Sequence, residues 1–149
     1  MKKFIKSLLI VVSCISLTTL SACGGGSGGH SKSYTGNWYS KIVARGEYCT
    51  GIGYSSGGWT YESHFFVHQS GNHITLTDKD TNDIYEGELN NNSGFTVTHT
   101  VDTGKSIGVF KIEVTNVKDG IGHIVDSYEG YLQSTTCQYS NEGTIYKED

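Results

Sequence analysis

Proline is absent from this chain. Proline removes a ladder hydrogen bond wherever it falls in a strand, so no residue here interrupts one in that way. From Tyr34 onward no stretch keeps a 3.6-residue apolar period for three turns, which argues against amphipathic helices there. No apolar run approaches the roughly 20 residues that a membrane-spanning helix needs. The four cysteines include no Cys-x-x-Cys pair and no Cys–His cluster, which argues against a zinc or dithiol motif. Phosphate loops, serine-nucleophile elbows and metalloprotease helix motifs are missing as well. No catalytic residue, metal ligand or cofactor is therefore assigned, and an enzyme is the least supported class. Positive charge is also short, with 11 Lys and Arg against 15 Asp and Glu. That balance argues against nucleic acid as a partner.

What is present begins at the N-terminus. Lys2, Lys3 and Lys6 precede an uncharged, Ser/Thr-diluted run from Ser7 to Leu20. This is the pattern of an export signal, and the run is too short for a good membrane span. It ends in Leu20-Ser21-Ala22-Cys23, which resembles the lipobox of bacterial lipoproteins. The resemblance implies cleavage before Cys23 and attachment of diacylglycerol to its sulfur. It also implies an acyl chain such as palmitate on its amine. Two or more chains give stable anchoring. An ordinary secretory signal containing a chance cysteine is the alternative. Gly24 to Gly29 reads as a flexible Gly/Ser tether. Residue 24 is not acidic, and in such lipoproteins of Gram-negative bacteria this implies the outer membrane by default. The expected organisation is a signal peptide at 1–22, lipidated cysteine and tether at 23–33, and a single β domain at 34–149. The expected location is the cell envelope.

Loss of the signal removes three lysines and no acid, leaving 8 basic against 15 acidic residues. About 115 residues beyond the tether suffice for one core. Cys14 lies in the signal, Cys23 is the lipid site, and Cys49 and Cys137 remain. An even pair in an oxidising compartment predicts a disulfide, closing a loop of nearly 90 residues.

From Tyr34 onward the chain reads as strands and turns. Trp59, Tyr61, Ser63, Phe65 and Val67 share one face of a strand, with His64, Phe66 and His68 on the other. Phe95, Val97, His99 and Val101 alternate with threonines. Further strands are expected at Asn37 to Arg45, Ile74 to Thr77, Ile84 to Leu89, Phe110 to Val114, Tyr128 to Gln133 and Gly143 to Tyr146. Eight strands with short turns imply antiparallel neighbours, and closure into an up-and-down barrel removes exposed edges. A β-sandwich is the alternative. Gly36-Asn37-Trp38 resembles the Gly-x-Trp opening of lipocalin-like barrels. In that family the Trp plugs the closed end and the open end often takes a small apolar ligand. An Arg near the last strand commonly packs over the Trp; here the last strand offers Lys147, and the sole Arg is Arg45.

Asp78, Asp80, Asn82 and Glu86 imitate a calcium loop, but Asp83 and Leu89 stand where it needs Gly and Glu, so a hairpin turn is expected. His64 and His68 would lie about 13 Å apart on a strand, too far for one ion. His99 falls on an apolar face, either as a hydrogen-bonded core residue or as a polar contact in a ligand cavity. Trp59 and Tyr61, beside Ser55-Ser56-Gly57-Gly58, are the best aromatic binding candidates. With Trp38 and His99 they form the candidate ligand-binding set. Two functions compete: a carrier of a small apolar ligand, and a protein-interaction lipoprotein (inhibitor, immunity or assembly partner) with a filled core. Interior volume separates them.

Overall fold

The computed structural model describes residues 33–132 and 134–149. The expected export signal, the expected lipid site Cys23 and most of the expected tether lie outside the described residues, as does Gln133.

Every regular element among the described residues is a strand. These are β1 (Gly36–Val43), β2 (Glu47–Cys49), β3 (Gly53–Tyr54), β4 (Thr60–Ser70), β5 (His73–Asp78), β6 (Ile84–Asn90), β7 (Gly94–Asp102), β8 (Ser106–Lys118), β9 (Ile121–Leu132) and β10 (Thr135–Lys147). β1 and β4 to β10 pair in sequence order, all antiparallel, and β10 returns to pair with β1. The sheet therefore closes into an eight-stranded barrel, not a sandwich. β2 pairs with β10 outside this ring and carries β3, a small hairpin that extends one wall.

The sequence expectation of eight barrel strands holds, with changed limits. The first strand ends at Val43, because residues 44–46 turn away into the hairpin segment. β8, β9 and β10 run much longer than the short segments expected for them. β2 and β3 were not anticipated. Cys49 and Cys137 face each other directly across the β2–β10 ladder and are joined as a disulfide.

The alternation sorts side chains as a barrel requires. Trp38 and Ile42 on β1, Phe65 and Val67 on β4, and Phe95 and Val97 on β7 are buried, with Ile74, Leu76, Val114, Ile124 and Ile145 between them. These residues fill one half of the barrel. Tyr34 closes that end, its ring edge-on to Phe95 at 5.5 Å and its carbonyl accepting the Trp38 Nε1–H at 2.7 Å. Lys147 pairs across from Trp38 and holds its ammonium 6.0 Å from the ring centroid. Burial then fades along β7: His99 is half-buried and Val101 is 41 % exposed.

Candidate functional site

The other half of the barrel is not filled. β1, β5, β7 and β9 end there, joined to their partners by the segment 44–59 and by turns. Segment 44–59 is pinched at its stem, where Ala44 N–H donates to the Trp59 carbonyl and Gly58 N–H to the Ala44 carbonyl. A Cβ at Gly57 would collide with the Arg45 backbone, so the two passes of chain can meet only at glycine. The disulfide and the Thr50 N–H bond to the Thr136 carbonyl fix the hairpin to β10.

Between this segment and the barrel wall lies a cavity of about 500 Å³, open to solvent. Its volume falls in the range of about 300–1,000 Å³ typical of small-molecule sites. Aromatic side chains dominate its wall: Trp59, Tyr61 on β4, Phe110 on β8, Tyr128 on β9 and Tyr139 on β10. Phe110 packs on Tyr128 at 4.7 Å between ring centroids, and Tyr128 stacks on Tyr139 at 5.6 Å. Tyr128 can lie along its own strand because residue 130 is glycine; a Cβ there would run into the Tyr128 hydroxyl. A smaller cleft of about 210 Å³ shares Tyr61, Phe110, Asp126 and Tyr139, and reaches toward Ile42, Phe65 and Ile112.

Asp126 projects inward from β9 into both clefts. The Tyr61 hydroxyl donates to its Oδ2 at 2.6 Å. That hydroxyl accepts from Asn141 Nδ2 at 3.3 Å, and Asn141 Oδ1 accepts the Arg45 N–H at 2.8 Å. The network thus runs from the hairpin stem to one carboxylate, each donor pointing toward Asp126. Asp126 Oδ1 has no hydrogen-bond partner among the described residues. Burial raises the Asp126 carboxyl above its usual range; the Tyr61 hydrogen bond opposes this and the Asp78 charge adds to it. Burial also raises the Tyr61 hydroxyl, helped by the Asp126 charge, and it raises Tyr139 and Tyr85 in the same way.

Of the residues singled out from sequence, Tyr61 and Trp59 line the cavity, and Trp59 is 54 % exposed at its mouth. His99 stands behind that wall. Its ring lies 5.4 Å from Tyr85 and 6.2 Å from Phe110, and its Nδ1–H donates to the Ile84 carbonyl at 2.8 Å. Trp38 is buried at the opposite, filled end, so it does not line the cavity. His64 and His68 lie on the outer face of β4. Asp78 Oδ1 accepts the N–H groups of Asp80 and Thr81 in the β5–β6 turn. The one group of three potential metal ligands among the described residues is Glu47, Cys49 and Cys137, and its two sulfurs are joined to each other.

Asp126, Tyr139 and Asn141 escaped sequence reasoning. A signal existed, since Asp126 is in phase with Gly122, Ile124 and Tyr128 on the inward face of β9. Extending the short strand at Tyr128 backward by its period would have exposed a carboxylate on a core face. Against known protein families no family model matches the chain, and no curated protein matches it by sequence.

Proposed function

We propose that this protein is a membrane-anchored cell-envelope lipoprotein whose β-barrel binds a small, largely apolar ligand without catalysing a reaction. The observation that carries the binding half is the open, aromatic-walled cavity of about 500 Å³ at the end of the barrel opposite its buried apolar core. The filled end supplies stability and the open end supplies volume. Trp38, Tyr34 and Lys147 at the closed end add support for a lipocalin-like arrangement.

The anchoring half rests on Leu20-Ser21-Ala22-Cys23 and the Gly/Ser tether. Gly24 favours the bacterial outer membrane. A protein-partner reading has its own support: Ile52, Tyr54, Trp59, Val101, Ile107 and Leu132 are all exposed and all lie toward the open end.

Native mass spectrometry of the full chain, released from membranes and measured before and after denaturation, tests the carrier reading. A small molecule lost on denaturation is the expected result; a bare chain turns the reading toward protein partners. The same preparation tests the anchor. The protein's mass should correspond to a chain beginning at Cys23 with added diacylglycerol and acyl groups, and a chain whose Cys23 carries no lipid refutes the anchor.

A further inference from the structure

We infer that the ligand of this cavity is an organic cation: an ammonium group, primary or quaternary, on a small apolar body. The inference rests on the small-ligand reading and names its chemistry.

Charge is the first argument. Glu47 and Asp126 line the main cavity, and Asp78 and Asp83 join Asp126 around the cleft beneath it. Among the described residues, no lysine, arginine or histidine lines either space, and the basic side chain beside one of these acids is His99, whose Nε2 lies 3.8 Å from Asp83. A concave site walled by one sign of charge focuses a potential of that sign, so it attracts cations and repels carboxylates and phosphates.

The second argument is the state of Asp126. A carboxylate partly withdrawn from water gains from a cation or further donors that offset its reduced hydration. Asp126 is half-buried and lines both spaces; its one side-chain donor is the neutral Tyr61 hydroxyl, and its second oxygen stays accessible to whatever fills the cleft. Asn141 Nδ2 donates to the Tyr61 oxygen, which favours the hydroxyl hydrogen pointing to Asp126. The wall thus holds a carboxylate with one accessible acceptor, and an ammonium supplies a further partner.

Aromatic surfaces give the third argument. Trp59, Tyr61, Phe110, Tyr128 and Tyr139 surround the same space. The faces of such rings attract cations, most strongly where water is excluded, and they pack equally well on an apolar body. A bare metal ion fits less well. No three carboxylates among the described residues converge as ligands, and an aromatic wall replaces none of the ion's oxygen ligands.

Isothermal titration calorimetry on the full chain in a non-ionic detergent tests this. The probes are phenethylamine against phenethyl alcohol, choline against its neutral carbon isostere dimethylbutanol, and phenylpropionate as the anion. At least one ammonium should bind about tenfold or more tightly than its neutral counterpart, and phenylpropionate should not bind. Which of phenethylamine and choline binds decides between primary and quaternary ammonium. Asp126→Asn should erase that preference; its circular dichroism checks folding, and the wild-type comparison decides alone if the variant misfolds. Equal binding of amine and alcohol, or preference for phenylpropionate, overturns the cation inference while leaving the cavity a ligand site. Failure of every probe, with no molecule released in native mass spectrometry, overturns both.

Discussion

Removing the Cys49–Cys137 bridge should cost this domain far more than the contacts around it suggest. The bridge spans 88 residues of sequence, from the hairpin after the first barrel strand to the last barrel strand. In the native state that span is already closed, since β1 and β10 pair along their length. In the unfolded state nothing else closes it. The bridge therefore acts on the unfolded ensemble, and the chain-entropy model gives about 4–5 kcal/mol for a loop this long. Whole-domain stability is about 5–15 kcal/mol, so the loss would leave a marginal fold. Urea denaturation of the Cys49→Ser/Cys137→Ser variant, followed by circular dichroism, measures it. The expected result is a large fall in midpoint with single-step unfolding retained. A loss below about 1 kcal/mol would refute the reasoning. It would mean that the unfolded chain is already confined, or that only the hairpin detaches. Acrylamide quenching of Trp59 reads the hairpin separately, since Trp38 is only 1 % exposed.

Trp38→Ala should cost about 3–5 kcal/mol in the same urea assay, because it empties the filled end beneath Tyr34 and strands the Tyr34 carbonyl. A cost near zero would show that the closed end is not the stabilising half. Asp126→Asn should behave oppositely and depend on pH. The folded carboxyl is raised above its ordinary value of 3.8, chiefly by burial. A raised value means that the group's contribution to stability is present below the unfolded value and is lost as pH rises through the folded one. The amide does not titrate, so the variant should be more stable than wild type at neutral pH and lose that advantage near pH 3. Thermal melts across pH check this, and a variant less stable at neutral pH contradicts it.

The parts of the fold legible in sequence are those with apolar alternation. β4 and β7 carry it clearly, because each has one face on the packed half of the barrel. β2 and β3 are three and two residues long and carry no period to read. The long strands β8 to β10 were legible only in pieces. Their inward positions hold Gly108 and Phe110 on β8, then Asp126 and Gly130 on β9, then Tyr139, Asn141 and Gly143 on β10. Glycines and polar groups on a core face erase the period-two signal that marks a strand. The pairing itself is unaffected, since it uses the backbone.

Those illegible positions are not scattered. Gly130 makes room for Tyr128, Gly108 lies against the same ring, and Asp126, Tyr139 and Asn141 line the cavity beside it. A local rule of core composition fails at one place in the barrel, and that place is the end that holds the aromatic cavity. Retaining a half-buried carboxylate there lowers stability, and an apolar residue on β9 would pack the space instead. Strands built for stability alone would continue the Ile112, Val114 and Ile124 pattern to the rim. Their interruption by a network that orients Tyr61 onto Asp126, beside an aromatic cavity, is what the proposed ligand site would require.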